Sequence, residues 1–211
     1  MKRITEYSFR DIVGHFVKMQ FPNGRNHIDP ECDDFIAYVY IDTEAGMTLE
    51  IIGGYKDGQV RRDPTSFNKL RYSDDIVLEL YDEPDDEMIE TAKFIEEHYT
   101  PDWIKPVREN PMYDPYRDKA FPDDMLIPVH SLVEEDGELV NIAELLWVRP
   151  VHLSGENLFG ITIEPGKYFE QGTQVAIVRI TSGDYKISAM TLEMLQTIVE
   201  SDDPASFFNI T

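Results

Sequence analysis

Two runs in the first third of the chain, FIAYVYID at 35–42 and MTLEIIGGY at 47–55, carry apolar residues on both of their alternating faces. A strand that wets one face alternates apolar with polar, whereas a strand covered on both sides does not. These runs therefore call for a central sheet covered by helices rather than an exposed ribbon. With 42% hydrophobic and 11% aromatic residues the chain can fill such a core, and its 211 residues suit one large domain or two small ones.

Further strands follow from β-branched and aromatic enrichment between turn residues. After the Asp57-Gly58 turn, QVRR reads as a return strand ended by Pro64, and IVLELY at 76–81 as another. In the second half MLIPVHSLV and ELLWVRPVHL flank an acidic turn at Asp136-Gly137. SGEN at 154–157 turns into LFGITI, and Pro165-Gly166 precedes TQVAIVRI at 173–180. Pro150 has no N–H to donate, so it marks an edge strand or a bulge.

Three segments have helical spacing. In 7–20, Phe9, Ile12, Val13, Phe16 and Val17 share a broad face despite Gly14. In 85–99 acids crowd the start, where the helix dipole favours them, and Met88, Ile89, Ala92, Ile95 and Tyr99 form the apolar stripe. In 190–200, Leu192, Leu195, Ile198 and Val199 form the buried side, with Thr191 or Ser188 as the cap. The closing SDDPASFFNIT reads as a tail that Phe207 and Phe208 anchor to the body.

Residues 100–125 interrupt these patterns with Pro101, Pro106, Pro111, Pro115 and Pro122, interleaved with Trp103, Tyr113, Tyr116 and Phe121. Proline pre-orders extended backbone, and the aromatics give the segment something to bury, so it reads as a packed strap. The expected fold is α+β, an antiparallel-rich mixed sheet packed by about three helices, in two closely associated halves. Residues 1–105 form a helix-and-sheet half, 106–125 the connection, and 126–211 a strand-rich half ending in a helix.

Charge narrows the partners. Nineteen Lys and Arg stand against 41 Asp and Glu, a formal net charge of −22, and beyond residue 119 only Arg149, Lys167, Arg179 and Lys186 are basic. Such a field repels nucleic-acid phosphates and anionic lipid, and attracts cations and basic proteins. The local tracts expected to meet a basic protein are Asp82, Glu83, Asp85, Asp86 and Glu87, and Glu134, Glu135, Asp136 and Glu138. Trp103 and Tyr113 are the aromatic anchors wherever the strap leaves them exposed. Cys32 is the only cysteine, the MKRITEYSFRD start lacks the apolar stretch of a signal peptide, and no run reaches the roughly 20 apolar residues of a membrane helix. The expectation is a cytoplasmic protein with no membrane contact.

No constellation for chemistry stands out. Gly53-Gly54 lacks the spacing and Lys of a phosphate loop and reads as a bulge or tight bend; a dinucleotide fingerprint is absent, and no cofactor is expected. His27, Asp29, Glu31, Cys32 and Asp33 form the densest set of potential metal ligands, without zinc or calcium-loop spacing, and read as a polar surface loop. His15, His98, His130 and His152 are dispersed. Pairing of their strands would bring His130 and His152 near Glu144 as an acid–base site, against the simpler reading of ordinary strand positions. Ser131 beside His130 lacks a third partner, and 41 carboxylates define no catalytic separation.

Residues 144–177, ELLWVRPVHLSGENLFGITIEPGKYFEQGTQVAI, carry Leu146-Trp147-Val148, a tight SGEN hairpin, Gly160 in the return strand and Gly172 before TQVAI. This stretch resembles small uncharacterised bacterial domains of the kind found beside polymorphic toxins. The resemblance implies a strand-rich module in a bacterial accessory or immunity-type protein, with Leu146, Trp147 and Val148 as core residues. The functional expectation is a non-enzymatic acidic protein that binds or inhibits a basic protein. The alternatives are a hydrolase or divalent-metal enzyme using dispersed His and carboxylates, and a structural or phage accessory protein.

Overall fold

The computed structural model describes residues 1–20, 31, 32, 34–62, 69–73, 75–180 and 186–201. They form two units, one from the described residues of Met1–Asp102 with Lys119–Asp123, the other from Trp103–Asp118 with those from Asp124 onward. The architecture is α+β and rich in antiparallel pairing, with a sheet in each unit and several helices.

In the first unit β1 (Lys2–Arg3) and helix α1 (Phe9–Ile12) lead into β2 (Phe16–Gln20), β3 (Asp34–Asp42) and β4 (Gly46–Lys56). Then come β5 (Gln59–Arg61), β6 (Lys69–Arg71), β7 (Val77–Leu80) and helix α2 (Asp86–Tyr99). The strands run β1-β7-β2-β3-β4-β5, with β6 also beside β4, and every pair is antiparallel. Central β3 explains its own composition. Phe35, Ala37 and Val39 join Val17, Met19, Leu49 and Leu78 on one face, closed by Ile4 and Ile12. Tyr38 and Tyr40 point to the other face, where Ala92 and Ile95 of α2 cover them. Both faces are dry, as the apolar run requires.

The turns follow local chemistry. Asp57 (φ 52°) and Gly58 (φ 79°) link β4 to β5, both left-handed, as a two-residue hairpin turn demands. Gly53-Gly54 sits at a bulge, since Ile36 pairs with Gly53 but Ala37 with Ile51. The Asp85 side chain caps α2 by accepting from Met88 N–H at 3.0 Å. Of the expected stripe, Met88, Ala92 and Ile95 are buried, while Ile89 is exposed.

The helix expected over 7–20 is corrected. Ser8 and Asp11 form a reciprocal cap that starts α1, but the helix lasts four residues and Gly14 takes φ 82°. Residues 16–20 then form β2 between β3 and β7. The apolar set of this segment fits either period, and pairing on both sides decides for the strand, burying Val17 and Met19 completely.

The second unit begins with α3 (Lys105–Glu109) and a 3-10 turn (Pro111–Tyr116). Strands β8 (Met125–Glu135), β9 (Glu138–Ser154), β10 (Asn157–Thr162), β11 (Gln174–Arg179) and β12 (Ile187–Thr191) follow, then helix α4 (Leu192–Glu200). The five strands close a barrel in sequential order. A five-strand meander leaves its first and last strands pointing the same way, so the closing pair, β12 with β8, has to be parallel, and it is. Met125, Ile127, Val129, Leu146, Val148, Val175, Ile177 and Ala189 fill the interior. Leu146 and Val148 are thus core residues; Trp147 is half-buried.

A closed barrel has no edge, so Pro150 is accommodated by a bulge: Gly160 pairs with Pro150 and Phe159 with His152, leaving Val151 unopposed. Gly160 is required there, because a Cβ would come within 2.8 Å of the Arg149 carbonyl. The helix expected from 190 begins at Leu192. Met190 and Thr191 belong to β12, and Thr191 also accepts from Met194 N–H as the cap. Met190, Met194 and Ile198 pack α4 onto the barrel, while Val199 is exposed. From the proline-rich segment, Trp103, Ile104, Val107, Met112, Tyr113 and Tyr116 pack on the barrel core. Lys119–Asp123 belongs to the first unit, where the Ala120 carbonyl accepts from Met47 N–H at 2.7 Å. Pro64, Phe207 and Phe208 lie outside the described residues.

Candidate functional site

β8 and β9 are longer than the barrel they help to close. β8 pairs with β12 only at Val129 and His130, and β9 pairs with β10 only from Val148 onward. The β8–β9 ladder nevertheless continues to Glu135–Glu138. Leu132 still packs against the α4 cluster and Ile142 against the barrel core, so residues 133–140 form a two-stranded tip. Asp136 (φ 54°) and Gly137 (φ 86°) make its turn.

Glu134, Glu135, Asp136 and Glu138 are all exposed at this tip. Next along β9 come Leu139, 61% exposed and opposite Glu134, and Val140, 38% exposed and opposite Val133. No base occurs in 133–140. The Tyr168 hydroxyl contact, with smaller contributions from Glu135 and Glu144, holds the Lys167 ammonium above its ordinary pKa. Beneath the tip Glu144 accepts from the N–H groups of Lys167 (2.8 and 2.9 Å) and Tyr168 (3.2 Å). This docks the 165–169 loop onto β9. Successive side chains of a strand alternate faces, so Leu139 shares one face of the tip with Glu134, and Val140 shares the other with Glu135 and Glu138. An exposed apolar side chain beside carboxylates is the arrangement of a small recognition surface, an anchor with a charged rim.

The other tract, 82–87, belongs to the first unit and is partly committed. Arg62 reaches Asp85 at 2.5 Å and also pairs with Glu87. The guanidinium, followed by the Met88 N–H, holds the Asp85 carboxyl below its ordinary range. Asp82, Glu83 and Asp86 are exposed. Trp103 and Tyr113 are half-buried with their rings against the barrel core, and the Arg117 guanidinium lies 5.8 Å from the centre of the Tyr113 ring.

The histidine site considered from sequence does not assemble. His130 pairs with Ala143, nine positions along β9 from His152, and Glu144 opposes Val129 on the alternate face. His130 instead meets the Asn141 side chain at 3.3 Å, and His152 stacks on Phe159. Burial lowers the His130 pKa, with the Asn141 contact acting the other way. Of the proposed metal loop, His27, Asp29 and Asp33 lie outside the described residues. Glu31 is exposed, and Cys32 is buried against the first core. Among the described residues no group of three or more His, Cys, Asp or Glu could hold a metal, and no helix is long and apolar enough to cross a membrane.

One polar cluster carries no signal in the sequence. Tyr40 donates to Glu50 at 3.1 Å, Lys69 donates to Tyr99 at 2.7 Å, and Lys69 stands 3.5 Å from Glu50. The residues come from β3, β4, β6 and α2 and meet only through the sheet. The Tyr99 contact raises the Lys69 pKa and burial raises that of Tyr40. Lys69 thus stays charged and Tyr40 neutral at physiological pH, so neither is poised to exchange a proton. The cluster ties α2 to the sheet. Searches of family models, curated proteins and solved structures return no match to this chain.

Proposed function

We propose that this chain is a non-enzymatic binding protein for a basic protein partner, and that it engages that partner through the tip of the β8–β9 hairpin. The observation that carries the reading is the exposure of Leu139, opposite Glu134, at a hairpin tip whose Glu134, Glu135, Asp136 and Glu138 are all exposed. The net charge of −22 supplies the long-range field. Charge would steer encounter, while desolvation of Leu139 would hold the complex. The resemblance of residues 144–177 to bacterial immunity-type domains suits an inhibitory role, in which acidic contacts neutralise a basic toxin.

The test is capture from a bacterial lysate at low and moderate salt, identification of the retained protein, and measurement of direct association kinetics. The partner is expected to be basic. The E134Q/E135Q/D136N/E138Q variant should slow association by about tenfold and flatten its salt dependence, while Leu139→Ser should mainly speed dissociation. Direct binding that ignores both variants would end the hairpin reading. If the sole reproducible ligand is a small molecule or a metal and no protein is retained, the partner class fails.

A further inference from the structure

The α3 helix and the following 3-10 turn lie against the barrel core, and the Tyr116 hydroxyl accepts from Lys186 N–H at 3.0 Å. Between this segment, the β9–β10 turn and the ends of β11 and β12 opens a cleft of about 730 Å³. That is within the range of small-molecule sites, roughly 300–1,000 Å³. Val107, Leu158 and Ile187 are among its apolar walls.

The polar groups lining the cleft have a bias. The Asn110 carbonyl oxygen is committed to Met112 N–H at 3.0 Å, which leaves the NH2 end of the amide as the uncommitted one. The Tyr113 hydroxyl has no hydrogen-bond partner among the described residues, and it too can donate. Arg179 lines the same cleft and makes no ion pair among the described residues, in a chain where 41 acids compete for 19 bases. Among the described lining residues, Glu156, exposed on the rim, is the one opposing charge.

We propose that this cleft binds a small organic carboxylate with an apolar body, its anionic end toward Arg179 and the Asn110 and Tyr113 donors. A neutral apolar ligand would leave the guanidinium and both donors to water and draw nothing from them. A cation would meet Glu156 but also Arg179. The site is independent of the hairpin reading, and either can fail without the other.

The experiment is a titration of the 15N-labelled full chain with 3-phenylpropionate, and separately with its neutral analogue 3-phenylpropionamide, followed by amide shifts at low ionic strength. Saturable shifts confined to cleft-lining residues are expected with the carboxylate. The amide should bind about fivefold more weakly, the scale of one part-exposed ion pair. Arg179→Gln, an exposed change that should not disturb folding, should weaken the carboxylate by a similar factor and leave the amide unaffected. Glu156→Gln should tighten the carboxylate. Absence of saturable cleft shifts at roughly 20 mM, equal binding of the two probes, or indifference to Arg179→Gln overturns the assignment.

Discussion

A methyl group placed on Gly54 would stand 2.2 Å from the Cys32 sulfur and 3.0 Å from its Cβ. The glycine in β4 and the lone cysteine, 4% exposed, occupy one packed space in the first core. Gly54→Ala is expected to destabilise the protein by about 1–3 kcal/mol through overpacking. Cys32→Ala in the same chain should restore part of the loss. Chemical denaturation of the two single variants and the double variant measures the coupling, and strictly additive effects would contradict the contact. The native thiol should also react slowly with a thiol reagent until the protein is unfolded.

Asp85 combines a cap with an ion pair to Arg62. Asp85→Ala should cost about 1 kcal/mol, chiefly through the lost cap, whereas Asp85→Asn should retain most of the stability. Equal losses in thermal unfolding would mean that the exposed ion pair, rather than the Met88 hydrogen bond, dominates.

His130 should titrate below 6.5 by NMR, because burial disfavours its charged form. The unfolded chain then takes up the proton first. Stability should fall as pH drops from about 6.5 toward the folded-state pKa, and this contribution should level off below it. His130→Gln should flatten that portion of the stability curve. An unchanged slope would remove His130 from the acid response.

Arg149 grips buried Asp124 through Nε at 2.6 Å and Nη2 at 2.8 Å. Arg149→Met strands the carboxylate and should cost about 3 kcal/mol, near the low end for breaking a buried pair because the arginine is 26% exposed. The double change with Asp124→Leu should recover much of that loss. A single variant as stable as the parent would show that the pair contributes nothing.

Near Gly166 a Cβ would fall 2.4 Å from a Glu144 carboxylate oxygen. Gly166→Ala should displace that carboxylate from the Lys167 and Tyr168 N–H groups, at a cost of about 1–2 kcal/mol. Faster amide hydrogen exchange at residues 167 and 168 is the specific readout, and unchanged exchange would refute it.

Local structure here follows from neighbouring residues. Asp57-Gly58 and Asp136-Gly137 set their hairpins because both positions need left-handed backbone. Asp85 and the stripe of Met88, Ala92 and Ile95 set α2 within a few residues. The acids and Leu139 at the hairpin tip are adjacent in the chain, so the acidic half of that candidate surface was legible. Its apolar part was not, because exposure of Leu139 depends on β8 and β9 outrunning the barrel.

Tertiary structure alone decided the rest. Residues 16–20, and Met190 and Thr191, fell within runs of helical spacing, and they became strands because partners distant in sequence claimed them, Met190 pairing with His130 across the barrel seam. The same distance hid the Tyr40–Glu50–Lys69–Tyr99 cluster and the cleft beside Arg179, and it separated His130 from His152. Local backbone preference is set within a few residues. Register, closure and the meeting of side chains from different strands depend on long-range pairing that no single stretch encodes.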